Sequence, residues 1–200
     1  MTKTVEFFFD FGSPYTYLAY HQLPKIAANR GAQIIWRPIL LGGVFQATGN
    51  RSPIELPAKG RYSLIDLQRW AQHFGVPMTM NPHFPINTLA LMRGAVAMQM
   101  QGEAVFQRYL SAVFSAMFEH PRNMGLPQEI GAVLQENGMD PTEFLNAIND
   151  PAVKEQLKNS TTQAVERGVF GAPTFFVGEQ MFWGQDRLDF VDQALASAAS

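Results

Sequence analysis

The chain has 200 residues, a formal net charge of −2 and no cysteine. So little basic charge argues against nucleic acid as a main partner, and the missing cysteine excludes disulfides, an intrinsic thiol nucleophile and cysteine metal sites. No apolar run approaches a membrane span and no charged-then-apolar leader pattern opens the chain. The expectation is a soluble, cytoplasmic protein, either one large domain or two small ones with a shared core.

Val5 to Phe9 is β-branched and aromatic and reads as a buried strand. Tyr15 to Arg30 reads as a helix with Tyr17, Leu18, Leu23, Ile26 and Ala27 at helical spacing, closing near Gly31. Between them lies Asp10-Phe11-Gly12-Ser13-Pro14. Ser13 suits the N-cap and Pro14 the first helical position. A hydroxyl at the positive end of a helix, directly after a core strand, is a place that stabilises an anion. Taken alone, it reads first as a plain helix cap. Gln33 to Trp36 is the second strand, ended by Pro38 and parallel to the first through a right-handed crossover.

From Leu41 to Lys59 the chain is rich in Gly and Pro and reads as a long loop with room for a short helix. Helices follow at Tyr62 to Phe74, Asn87 to Gln101, Glu103 to Phe118 and Gln128 to Glu136. Asp140 and Asp150 each precede a proline and open two more, the last running to Gly168. Thr174 to Val177 and Gln180 to Trp183 form a hairpin about Gly178-Glu179, with Gly suited to a type II′ turn. Arg187 to Ala196 is a final amphipathic helix. The order is βαβ, a block of helices, then αββα, so strands far apart in sequence close one small four-stranded sheet. Trp36, Trp70 and Trp183 are read as core, and His21, His73 and His120 have no metal-ligand spacing.

A second informative stretch is Phe170-Gly171-Ala172-Pro173-Thr174. Its proline is either cis, which would turn the Ala172 backbone toward an extended peptide-like ligand, or trans at the start of an edge strand.

These features together resemble a thioredoxin fold with an inserted helical domain, the arrangement of the periplasmic disulfide oxidoreductases. Those proteins carry Cys-X-X-Cys at the helix start. Here Ser13-Pro14-Tyr15-Thr16 stands in its place and removes dithiol chemistry. Phe9 to Tyr15, Tyr17-Leu18-Ala19, Gly49-Asn50, Lys59-Gly60, Asp66 to Trp70 and Gly171 to Thr174 look like the kappa-class glutathione transferases and their bacterial relatives, the 2-hydroxychromene-2-carboxylate isomerases. The resemblance implies an α/β fold: a thioredoxin-like four-stranded sheet (residues 1–41 and 152–200) interrupted by an all-helical insertion domain (42–151).

The resemblance also implies glutathione as cofactor. Ser13 would hold its sulfur, the backbone of Ala172 its cysteinyl unit, Asn50 and Lys59 its glycyl end, and Gln185 and Asp186 its γ-glutamyl end. On their own residues, Asn50 reads as a turn residue, Lys59 as a solvated loop lysine and Asp186 as the cap of the last helix. The substrate pocket is expected between the two domains, lined by Pro82 to Asn87. His83 is either a general base or simply exposed there, and Asn87 either binds a carboxylate or carbonyl oxygen or caps its helix.

The implied activity is isomerisation of 2-hydroxychromene-2-carboxylate to trans-o-hydroxybenzylidenepyruvate, by thiolate addition, bond rotation and thiolate expulsion. A small aromatic carboxylate is the implied substrate, in a homodimer without metal. A kappa-like transferase or peroxidase, which consumes glutathione, is the alternative. A non-catalytic peptide-binding thioredoxin-fold protein is the second.

Overall fold

The computed structural model describes residues 2–197. Strand β1 (Lys3–Phe9) pairs in parallel with β2 (Ala32–Pro38), so that Phe7 faces Trp36, and helix α1 (Pro14–Arg30) makes the crossover. Strand β3 (Thr174–Val177) lies antiparallel on the other side of β1, and β4 (Gln180–Trp183) antiparallel on β3, giving the order β2-β1-β3-β4.

Successive side chains of a strand point to opposite faces, which explains the run Phe7-Phe8-Phe9. Phe7 and Phe9 enter the main core, where Phe7 stacks on Phe175 at 5.1 Å. Phe8 enters a smaller layer with Ile39, Val44, Ala164, Val169 and Phe176. Both faces are covered, as the lack of polar alternation in β1 requires.

Glu6 shares the Phe8 face and receives Arg37 and Arg167, each at 2.8 Å, while Arg167 also lies over the Phe176 ring at 3.9 Å. Burial pushes the Glu6 carboxyl up, but the bonds from Arg167 and Arg37 outweigh it and leave it below the ordinary carboxylate range. A carboxylate depressed in the folded state adds stability above its unfolded pKa and loses it as pH falls through the folded value. Glu6→Gln should therefore lower the melting temperature at neutral pH and flatten the acid loss below about pH 4.5. Parallel acid-dependent melts that stay superimposable would remove this contribution.

Eight helices follow α1 among the described residues: α2 (Leu41–Thr48), α3 (Pro57–Phe74), α4 (Leu89–Gln101), α5 (Glu103–Phe118), α6 (Pro127–Glu136), α7 (Pro141–Asn149), α8 (Pro151–Glu166) and α9 (Leu188–Ser197). Helices α1, α3, α6, α7 and α8 begin with proline, whose missing N–H costs nothing there. Asp140 and Asp150 cap α7 and α8 by accepting from Thr142 N–H and Ala152 N–H.

The segment read as a long loop is structured at both ends. Helix α2 fills Leu41 to Thr48, a 3₁₀ turn follows at Pro53–Glu55, and α3 begins at Pro57. Lys59 thus sits in the first turn of a helix. The physical reason is tertiary: Leu40 provides no side-chain cap for α2. Instead Leu41 N–H donates to Asp10 Oδ2 at 2.7 Å and Leu40 N–H to Thr161 Oγ1 at 2.9 Å. Gly43 leaves room for this packing, since a Cβ there would lie 3.3 Å from Thr161 Cγ2.

The main core is continuous across the sheet and the helices. Phe9 lies within 6.5 Å of Phe106 and 6.4 Å of Phe114 on α5, and Tyr17 packs on Phe114 and Phe118. Among the described residues no helix is long and apolar enough to cross a membrane, and no cluster of His, Asp or Glu is placed to hold a metal ion.

Candidate active site

The site is built where β1 ends. Ser13 has extended backbone geometry, caps α1 by accepting from Thr16 N–H at 3.2 Å, and donates its single hydroxyl proton to the Ala172 carbonyl at 2.9 Å. The Ala172–Pro173 bond is cis, and so is Phe84–Pro85, which the sequence did not suggest. Ser13 and Ala172 meet across 159 positions of sequence because β1 and β3 are neighbours in the sheet.

They share the wall of a cavity of about 720 Å³, within the usual range for small-molecule sites. Asn50, Lys59, Gln185 and Asp186 line the same cavity. The Lys59 side chain makes no hydrogen bond or ion pair among the described residues, so its ammonium is available to an anion. Asn50 is more engaged: Nδ2 donates to the Phe170 carbonyl at 2.8 Å and Oδ1 accepts from Arg51 N–H at 2.8 Å. It ties the end of α2 to the segment carrying Ala172. Gln185 is buried, and Asp186 pairs with Arg187 at 2.6 Å. Gly184, at φ +101°, leaves the space into which the Asp186 carboxylate folds back.

His83 and Asn87 are exposed and lie outside this lining; Phe84 and Met80 line it instead. The cause is Asn81, which is buried, donates to the Met117 and Arg122 carbonyls, and accepts from His83 N–H at 2.9 Å. The turn it fixes sends Phe84 inward and His83 outward. Asn87 Oδ1 accepts from Leu89 N–H at the start of α4.

Trp183 corrects its reading as core. It is 49 % exposed on the edge strand β4, 4.9 Å from the Phe170 ring, and lines the cavity. Trp36 is buried and Trp70 half-buried, both away from this lining. A ligand in the cavity should therefore change the tryptophan emission, and Trp183→Phe should abolish the change. A persisting change in that variant would place the ligand elsewhere.

Other contributors escaped the sequence reading. Arg51 adds a second cation, Phe45 an aromatic wall, and Tyr15 a phenol whose O–H reaches Asp66 Oδ2 at 3.4 Å. Burial, then the charge of Asp66, pushes the Tyr15 phenol up, so it stays a hydrogen-bond donor at neutral pH. Beneath the cavity Asp10 is fully buried, with Oδ1 accepting from Gly12 N–H at 2.8 Å. A second cavity, about 660 Å³, lies on the α8 side of α2 and shares no residue with the first.

A serine hydroxyl and a cis-proline loop at the head of the first helix define a thioredoxin-fold site without its thiols, and residues 4–196 match the DSBA-like thioredoxin domain. The chain is 34% identical to a 2-hydroxychromene-2-carboxylate isomerase of Sphingobium xenophagum, covering 98% of this chain and 99% of that one. It is 35% identical to one of Pseudomonas putida (96% and 93%) and 28% identical to human glutathione S-transferase kappa 1 (98% and 92%). A solved 2-hydroxychromene-2-carboxylate isomerase superposes with a TM-score of 0.86 at 34% identity, over 96% of this chain and 94% of that one. The chain belongs to the family of the 2-hydroxychromene-2-carboxylate isomerases, DsbA-like thioredoxin-fold proteins to which the kappa-class glutathione transferases are also related.

Proposed function

We propose that the protein is a glutathione-dependent isomerase interconverting 2-hydroxychromene-2-carboxylate and trans-o-hydroxybenzylidenepyruvate. The observation that carries this reading is Ser13: a hydroxyl at a helix N-terminus, open to a cavity, in a chain with no cysteine of its own. Helix dipole and hydroxyl donor both favour a thiolate over a thiol. Bound glutathione supplies the thiol nucleophile and is regenerated.

The residues present fit that tripeptide. The Ala172 backbone lies beside Ser13, within reach of a cysteinyl unit. Lys59, with Asn50 at the wall, suits the glycyl carboxylate, and Asp186 beside Gln185 suits the γ-glutamyl ammonium. Tyr15, Phe45, Phe84 and Trp183 offer aromatic surface to an aromatic substrate, and Arg51 a partner for its carboxylate. His83 and Asn87 take no part in this assignment. A homodimer and a cytoplasmic location complete the proposal on the strength of the family resemblance.

Thermal melts with and without millimolar glutathione, with S-methylglutathione in parallel, test the ligand. A ligand well above its Kd raises the melting temperature by mass action. Ultraviolet absorbance of 2-hydroxychromene-2-carboxylate then tests the reaction, with glutathione expected in catalytic amount. Stoichiometric consumption would point instead to the kappa-like transferase or peroxidase, which the full-length match to kappa relatives keeps in view. No shift with either ligand would turn the reading to a peptide-binding thioredoxin-fold protein.

A further inference from the structure

Asp10 is unusual for a site-adjacent residue because it is fully buried and no Lys, Arg or His pairs with it among the described residues. An uncompensated buried carboxyl is costly, so its partners matter. Oδ1 accepts from Gly12 N–H at 2.8 Å and Oδ2 from Leu41 N–H at 2.7 Å. Gly12 and Leu41 both line the cavity, whereas Asp10 itself does not. Gly12 also has little room for a side chain: a Cβ would lie 3.3 Å from Asp10 Oδ1 and 3.3 Å from Thr88 Cγ2. The Leu41 bond supplies the cap that Leu40 cannot, and α2 in turn carries Phe45 and, just beyond it, Asn50 to the cavity.

We propose that Asp10 is a positioning residue, a two-oxygen clamp that fixes the spacing between the Ser13 loop and the α2 wall of the cavity. It acts through Gly12 and Leu41 and touches no ligand. The idea builds on the glutathione reading of the cavity, but its geometry can be read without a ligand. Only a carboxyl of this length offers an acceptor to each N–H. An isosteric asparagine must turn its NH₂ toward one of them, leaving that donor unpaired.

Two independent variants test the clamp. Asp10→Asn alters the carboxyl. Leu41→Pro removes the donor together with the leucine side chain, at the first position of α2, where proline is tolerated and where the extended Leu40 already suits a following proline. Leu41→Ala controls for the lost side chain. Amide hydrogen exchange reads the geometry without ligand. Residues 11–13 and 42–50 should exchange at least about tenfold faster in Asp10→Asn, and 42–50 in Leu41→Pro relative to Leu41→Ala, with α5 unchanged. Glutathione affinity, followed through Trp183, should fall by about tenfold in the same two comparisons. Unchanged exchange in both variants overturns the clamp. Faster exchange with unchanged affinity overturns its positioning role and leaves a structural one. Failure of the wild-type protein to bind glutathione would instead overturn the proposed function, with the exchange result still deciding the clamp.

Discussion

Gly94→Ala should lower the stability of the protein by about 3 kcal/mol or more, although in an isolated helix the same change is favourable by about 1 kcal/mol. Gly94 lies inside α4, where propensity alone would prefer alanine. The packing forbids it. A Cβ there would overlap Tyr109 Oη and lie 2.5 Å from Phe144 Cε2 and 2.7 Å from Tyr109 Cζ. Both rings are fully buried, so neither can swing into solvent. Tyr109 is also held by its O–H, which donates to the Leu91 carbonyl at 2.8 Å, and its ring packs edge-on against Phe11 at 5.8 Å. Moving it would strand a buried hydroxyl and loosen a ring two residues from Ser13. In thermal melts the loss should appear as a fall of roughly 6 °C or more. A double variant separates the causes. Tyr109→Phe removes the atom nearest the new methyl, so Gly94→Ala should cost less in that background than in the wild type. A Gly94→Ala protein as stable as the parent would show that the core yields and that the close approach is not required.

The sheet was legible because its signals are local. A run such as Val5 to Phe9 specifies a strand covered on both faces, and Gly178-Glu179 between two apolar runs marks a hairpin. Gly178 indeed takes φ +58° while Glu179 does not. Ser13-Pro14 was legible as a helix start for the same reason. The unread parts depend on partners distant in sequence. Helix α2 carries two glycines and no cap of its own, and exists where Asp10 and Thr161 meet its first amides. Which of His83 and Phe84 faces the cavity is decided by Asn81, through bonds to α5 and the loop beyond it. Trp183 reads as core by hydrophobicity, yet among the described residues β4 pairs only with β3 and leaves its indole on an open edge. Asp10 did carry a signal: an acidic residue closing an apolar strand two positions before Gly12 fits a side-chain-closed turn. Its second bond, to Leu41, had no local trace.

Ser13→Ala should lower isomerase turnover by about a hundredfold while changing the Kd for glutathione by less than about threefold. The asymmetry follows from what the hydroxyl touches. Affinity for a tripeptide is spread over its two charged ends and its backbone, where Lys59, Asp186 and the Ala172 segment lie. In the proposed reaction the sulfur is a small part of that surface but the whole of the chemistry. At that point the protein offers Ser13 Oγ and the head of α1, and the variant keeps only the second. In the structure the hydroxyl proton is directed at the Ala172 carbonyl. In the proposed reaction Ser13 would turn that proton from the carbonyl toward the sulfur, a stronger, charged acceptor. The stability cost should be about 2 kcal/mol, from the lost cap at Thr16 N–H and the lost bond to the Ala172 carbonyl. The thiolate absorbance of bound glutathione near 240 nm gives a direct readout. Its titration midpoint should move toward that of free glutathione in Ser13→Ala and back again in Ser13→Thr, which retains a hydroxyl at the same place. Turnover and titration unchanged in Ser13→Ala would reduce Ser13 to a helix cap. The chemistry would then rest on the helix dipole and on the phenol of Tyr15, two positions further on in the same cavity wall.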